Sequence, residues 1–201
     1  MIPVWEFLRQ MKKVKKYIYK IGILFLVIFI GQISFAYETV ALKYPDNRGW
    51  HRSNYITGKT ETIAQYTPGG QGATNFKEAV VYHSYKIKNP DARNAATLLK
   101  KKLATVVKTS KGMNMKPIKS NSSNAIYRWC AEDVNGQGAQ CELVRATVTH
   151  EGVITIHYIN KDKNDFDNKF NDWYDRVTKL KTYYNYYRTD HVLNKNTYFE
   201  L

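Results

Sequence analysis

Only two cysteines, Cys130 and Cys141, occur in the 201 residues, and that scarcity excludes whole classes of chemistry. A structural zinc site takes about four ligands. The histidines nearest the pair, His150 and His157, complete neither a C-x2-C nor an H-x3-H spacing. The ten residues between the cysteines rule out a C-x-x-C redox motif. Also missing are G-x-S-x-G, H-E-x-x-H and a calcium-loop spacing. "PGGQG" (68–72) lacks the Gly-Lys-Ser/Thr ending and the following helix of a phosphate loop, so it reads as a turn. None of the five histidines, His51, His83, His150, His157 and His191, has another at i+4. No constellation supports a catalytic residue, a metal or a cofactor, and none of these is expected.

Acid is scarce as well, with 17 Asp and Glu against 31 Lys and Arg, a net charge of +14. Long apolar runs are absent, since "IGILFLVIFIG" (21–31) has 11 residues where a bilayer-spanning helix needs about 20. This run follows the basic "MKKVKKYIYK" (11–20) and precedes "QISFA" (32–36), whose Ser34 and Ala36 suit a leader peptidase. Residues 1–36 therefore read as a secretory signal peptide, started at Met11 and cut after Ala36. Lipidation of a new N-terminal cysteine is excluded by the absence of one there. No integral span is expected after cleavage, and the protein is expected in the periplasm or secreted.

Residues 37–201 then form one domain with its own core. Without the leader, the basic residues fall from 31 to 25 and the acidic ones from 17 to 16, leaving +9. The cations are scattered, the densest run being Lys100-Lys101-Lys102 on an expected helix, so they read as a solvated face and no nucleic-acid partner is expected.

An even cysteine count in an exported chain points to a disulfide. Setting Cys130 opposite Cys141 on antiparallel strands also sets Trp129 against Glu142, Tyr127 against Val144 and Ala125 against Ala146. Tyr127, Val144, Ala125 and Ala146 then share one apolar face. The intervening "AEDVNGQGAQ" is polar and glycine-containing, as a hairpin end should be. A bridge of this span stabilises by roughly 2–3 kcal/mol. Glu132 and Asp133 in that loop are read as solubilising residues, set against a carboxylate pair or a metal contact.

The next hairpin is expected to turn at His150-Glu151-Gly152, with glycine taking positive φ. Val148 then opposes Ile154, Ala146 opposes Ile156 and Val144 opposes Tyr158. Ile126, Arg145 and His157 fall in a row on the other face, flanked by Arg128, Leu143 and Ile159, and an amphipathic face of this kind calls for a cover. His83 and His157 on neighbouring strands with Arg145 are a conceivable site, weighed against partly exposed strand histidines.

Two helices are legible. The first, in "NPDARNAATLLKKKLATVVKTSKG", has Asn89 as its cap and the stripe Ala92, Ala95, Leu99, Leu103, Val106. The second has Asn164 as its cap and the stripe Phe166, Phe170, Trp173, Val177, Leu180, Tyr184. Strands are expected at 38–44, 60–68, 76–88 and in "MNMKPIKS". The fold class is α+β: an antiparallel sheet carrying two amphipathic helices.

The run "QYTPGGQGATNFKEAVVYHSYK", a helix, "RWC…CELVRATVTHEGVITIHYINK" and an aromatic-rich terminal helix together resemble small exported bacterial proteins with a PsbP/Mog1-like sandwich. The resemblance covers about Tyr55 to Tyr187 and implies a binding or assembly scaffold, with no catalytic residue to carry over.

Tyr183, Tyr184, Tyr186, Tyr187, Tyr198 and Phe199 crowd the end of the chain. Such side chains recur at interfaces, so the tail 185–201 docks either in trans or back on its own domain. The candidate binding surface comprises Arg128, Arg145, His157, Tyr186, Tyr187, Tyr198 and Phe199. The expected function is non-enzymatic: an exported protein acting through protein contacts, with an envelope or secreted partner, as an accessory of an envelope or secretion assembly. The alternative is a small-ligand or glycan-binding module.

Overall fold

Two successive meanders build the main sheet, and a helix between them carries the chain across it. A computed structural model describes residues 37–185 and 198–200. The expected leader 1–36, Tyr186 and Tyr187 lie outside the described residues. In chain order the elements are β1 (Tyr37–Lys43), β2 (His51–Thr57), β3 (Glu61–Thr67), β4 (Glu78–Lys86), a 3-10 turn (Pro90–Ala92), α1 (Ala95–Thr109), β5 (Ser110–Lys111), β6 (Asn114–Ser120) and β7 (Asn124–Ala131). There follow β8 (Asp133–Val134), β9 (Gln140–Val148), β10 (Gly152–Asn160), α2 (Lys163–Thr178), β11 (Lys181–Asn185) and β12 (Tyr198–Glu200). Seven strands form an antiparallel sheet in the order β2-β3-β4-β10-β9-β7-β6. A small sheet has the order β11-β1-β12, and β5 pairs with β8. The class is α+β, as expected.

Each face of the large sheet carries one helix, which is why its central strands are apolar at nearly every position rather than at alternate ones. Ala95, Leu99 and Leu103 of α1 pack on Ala125, Tyr127, Trp129, Val144, Ala146 and Val153. On the other face Phe166, Trp173 and Val177 of α2 pack on Ile126, Leu143, Ile154, Ile156 and Tyr158, together with Val40, Leu42 and Trp50. Trp173 stacks on Tyr158 at 4.2 Å and meets Trp50 edge-on at 6.2 Å. This second helix is the cover that the amphipathic face called for.

The β7–β9 register is the expected one, with Cys130 opposite Cys141, Tyr127 opposite Val144 and Ala125 opposite Ala146. A disulfide joins the two cysteines. The β9–β10 register differs from expectation by one residue: Val153 opposes Val148, Thr155 opposes Ala146 and His157 opposes Val144. The turn has four residues, closed by Thr149 N–H donating to the Gly152 carbonyl at 2.9 Å. Gly152 is not the turn's left-handed residue. It opens β10 opposite Lys86, where a Cβ would lie 1.8 Å from the Tyr85 carbonyl oxygen. A one-residue slip exchanges the faces of a whole strand, so Ile154, Ile156 and Tyr158 lie under α2 and His157 on the α1 side.

The helix ends also differ from expectation. Asn89 caps the 3-10 turn, and Asn94 caps α1 through its side chain to Thr97 N. Asp162 rather than Asn164 caps α2, accepting from Asp165 N. The helix stops at Thr178, so Leu180 lies beyond it and Tyr184 falls in β11.

A buried carboxylate ties these layers together. Glu78, 3% exposed, accepts from the Tyr158 hydroxyl at 3.0 Å and pairs with Arg48 at 2.8 Å and Lys169 at 3.1 Å. Burial opposes the charge on Lys169, but hydrogen bonds to Asp165 and Glu78 outweigh it and hold its pKa above the usual lysine value. Removing one partner of such a pair would strand a buried charge.

Candidate functional site

α1 packs chiefly over β7 and β9, and the same sheet face continues past it across β10, β4, β3 and β2. Alternation along these strands brings Thr155 and His157 of β10 beside Val81, His83 and Tyr85 of β4. Glu61, Ile63 and Gln65 of β3 follow in the next row, opposite Tyr85, His83 and Val81. Ile56 of β2, opposite Ile63, is 55% exposed. Ile63, Val81, His83, Tyr85 and His157 are half-buried.

Two parallel chains of polar groups cross this face. His83 Nε2 lies 2.6 Å from Glu61 Oε2, and its Nδ1 lies 2.6 Å from the Tyr85 hydroxyl. His157 Nδ1 lies 2.6 Å from Glu142 Oε1, and its Nε2 lies 2.8 Å from Thr155 Oγ1. With neutral imidazoles each ring N–H donates to its carboxylate, and the other ring nitrogen accepts from a hydroxyl. Both rings are thereby held in one orientation. Burial lowers the His83 pKa, with the hydrogen bond to Glu61 opposing it, and burial pushes the Tyr85 phenol up.

Carboxylate, imidazole and hydroxyl in the order Glu142, His157, Thr155 imitate a nucleophilic triad. Thr155 is 1% exposed and sits on a strand paired on both sides. Its hydroxyl has no approach for a substrate, and the ladder consumes the backbone N–H groups that an oxyanion would need. The geometry makes a preorganised polar surface. Among the described residues no group of three or more His, Cys, Asp or Glu is placed to hold a metal ion.

His83 and His157 do share a face, as conceived from the sequence, but Arg145 is not with them. Arg145 lies on the α2 side, where it donates to the Val177 and Thr178 carbonyls and to Asn124 Oδ1. It closes the C-terminal end of α2, where a cation meets the negative end of the helix dipole, and burial pulls its pKa down. Arg128, on that side too, pairs with Asp167 and lies over the Phe166 and Phe170 rings at 5.4 and 4.8 Å. The expected row of Ile126, Arg145 and His157 is thus split between two faces by the one-residue register difference.

Tyr198 and Phe199 pair by backbone with Lys43 and Leu42 of β1, a docking in cis over those residues. Asp133 accepts from Gly136 N at 2.8 Å and Gly138 N at 2.7 Å, which lowers its pKa. Its role is closure of the loop between the cysteines. A cavity of about 250 Å³ opens beside the disulfide, with Asn114, Glu132, Gln140, Lys161 and Lys163 among its lining.

The sequence signal missed most completely was β2. "HRSNYIT" has no clean alternation, because an edge strand with one half-open face lacks the burial that writes a period into a sequence.

No family model and no curated relative matches the sequence. Among solved structures the chain is similar to the solution structure of cyanobacterial PsbP (CyanoP) from Synechocystis sp. PCC 6803, at 11% identity, over 72% of this chain and 93% of that chain, with a TM-score of 0.39. This is a weak, PsbP-like resemblance of fold, and it carries no reading of activity.

Proposed function

We propose that the protein works outside the cytoplasm as a non-enzymatic binding protein, docking a protein partner on the half-open face of β2, β3, β4 and β10. The cysteine bridge supports the compartment, since structural disulfides persist where the surroundings are oxidising. One observation carries the docking site: aliphatic Ile56, Ile63 and Val81 alternate with imidazoles already locked by Glu61 and Glu142. Side chains ordered before binding cost little entropy on association, and a half-open strand face of mixed aliphatic and aromatic character suits a protein rather than a small molecule. The partner is an envelope or secreted protein, and the role is that of an accessory in an envelope or secretion assembly.

The cavity beside the disulfide favours the second reading, a small-ligand module. A photocrosslinking residue placed at Ile56 in the producing cell separates the two. A discrete protein adduct is expected there and not from Lys119 on β6, and Val81→Glu should abolish it without lowering the melting temperature. Absence of any adduct, together with saturable thermal stabilisation by a small molecule, would replace the protein-docking reading by the ligand reading.

A further inference from the structure

We propose that the outward face of α1 is an electrostatic docking surface for a layer of anionic lipid headgroups. The inference is independent of the protein-docking face and rests on a contrast between the two helices. In α2 each cation is neutralised by a carboxylate of the same helix, Lys163 by Asp167, Lys169 by Asp165 and Arg176 by Asp172, and Lys179 at its C-terminal cap pairs with Asp175. α1 has Lys100, Lys101, Lys102 and Lys108 in 15 residues and no Asp or Glu. None of these four forms an ion pair among the described residues.

Their placement follows from the buried stripe. With Ala95, Leu99 and Leu103 against the sheet, the period of about 3.6 residues per turn sends Lys101 and Lys108 straight outward and Lys100 to one flank. Lys102 turns back over the Tyr85 ring at 4.6 Å. The positions between are Thr97, Ala104 and Thr105, with Val107 beside them 45% exposed. At the C-terminal end of the helix the nearby Asp133 carboxylate is folded onto the N–H groups of Gly136 and Gly138 and forms no ion pair with the four lysines among the described residues.

The residue types choose between anionic partners. Protein interfaces are anchored by Trp, Tyr and Arg in fitted pockets, and planar carboxylates are recognised bidentately by Arg. This face has no aromatic and no arginine. It offers flexible point charges along a helix about 22 Å long, which match a diffuse, laterally mobile sheet of negative charge. Lysines near such a surface each strengthen binding by roughly fivefold, and the effect is screened by salt.

The test is sedimentation of the exported protein with vesicles of phosphatidylcholine alone and of phosphatidylcholine mixed with phosphatidylglycerol. Binding is expected only to the mixed vesicles, and it should disappear at about 0.5 M salt. The triple variant Lys100→Gln, Lys101→Gln, Lys108→Gln should bind them about 100-fold more weakly. Lys59→Gln, Lys116→Gln, Lys119→Gln lowers the net charge equally from exposed positions elsewhere and should stay close to wild type. If the α1 triple folds poorly, Lys101→Glu alone should show the same direction of loss. Equal loss in both triples, equal binding to neutral vesicles, or no binding to either vesicle would overturn the proposal. So would α1-dependent capture on immobilised polyglutamate without vesicle binding, which would make the occupant an acidic polypeptide.

Discussion

Trp173 is the residue on which the larger core turns, because its indole stacks on Tyr158, meets Trp50 edge-on and is 1% exposed. Trp173→Ala removes those contacts and leaves a cavity between α2 and the sheet, so the domain should lose about 3–5 kcal/mol. Thermal or urea unfolding measures this directly, and an unchanged midpoint would place the helix face outside the core. His83 gives a pH-dependent expectation. Its folded pKa is depressed by burial below the ordinary value of 6.5, so the unfolded chain binds more protons in the interval between the two values. Stability should therefore fall as pH drops through 6.5 and level off once the folded pKa is passed. His83→Asn should flatten that dependence of melting temperature on pH, and an identical slope in the variant would assign it to other groups. The stripe containing Trp173 was legible because Phe166, Phe170, Trp173 and Val177 keep one helical phase. The buried Glu78 was not, since "FKEAVVY" gives no sign that Arg48 and Lys169, from distant parts of the chain, converge on it.

Among the elements, the β7–β9 hairpin and the β9–β10 hairpin show why one register could be read and the other could not. The disulfide pins the first covalently, and its apolar rows agree with that choice. Replacing Cys130 and Cys141 by Ser should cost about 2–3 kcal/mol and preserve the far-ultraviolet spectrum. The untreated protein should titrate as thiol-free, and two reactive thiols would contradict the bridge. In the second hairpin, β10 is buried on both faces, so "GVITIHYI" is apolar in either phase and a one-residue slip costs nothing visible in the pattern. Gly152 compounded this. It was read as a turn glycine, whereas the close approach of the Tyr85 carbonyl is what excludes a side chain there. The cap of α2 offers a further check: Asp162→Ala should cost about 1 kcal/mol, because its carboxylate holds Asp165 N–H, whereas Asn164→Ala should be nearly neutral.

At the scale of the whole molecule, the tail raises the question of cis against trans docking. Residues 198–200 pair with β1, the strand that supplies buried Val40 and Leu42 to the larger core. Truncation after Arg188 removes β12 and should lower the melting temperature by several degrees. A truncated protein that melts as before but loses its crosslinked partner would put the tail in trans instead. The sequence by itself determined the cysteine pairing, the register that the pairing enforces, the two amphipathic helices and the α+β class. These depend on covalent connection or on a single period along a short stretch of chain. Tertiary structure alone decided which face His157 and Arg145 occupy, which carboxylates the two histidines meet, and that α1 leaves part of its sheet face half-open. These follow from packing between segments far apart in sequence, and a strand buried on both sides carries no local mark of which side is which.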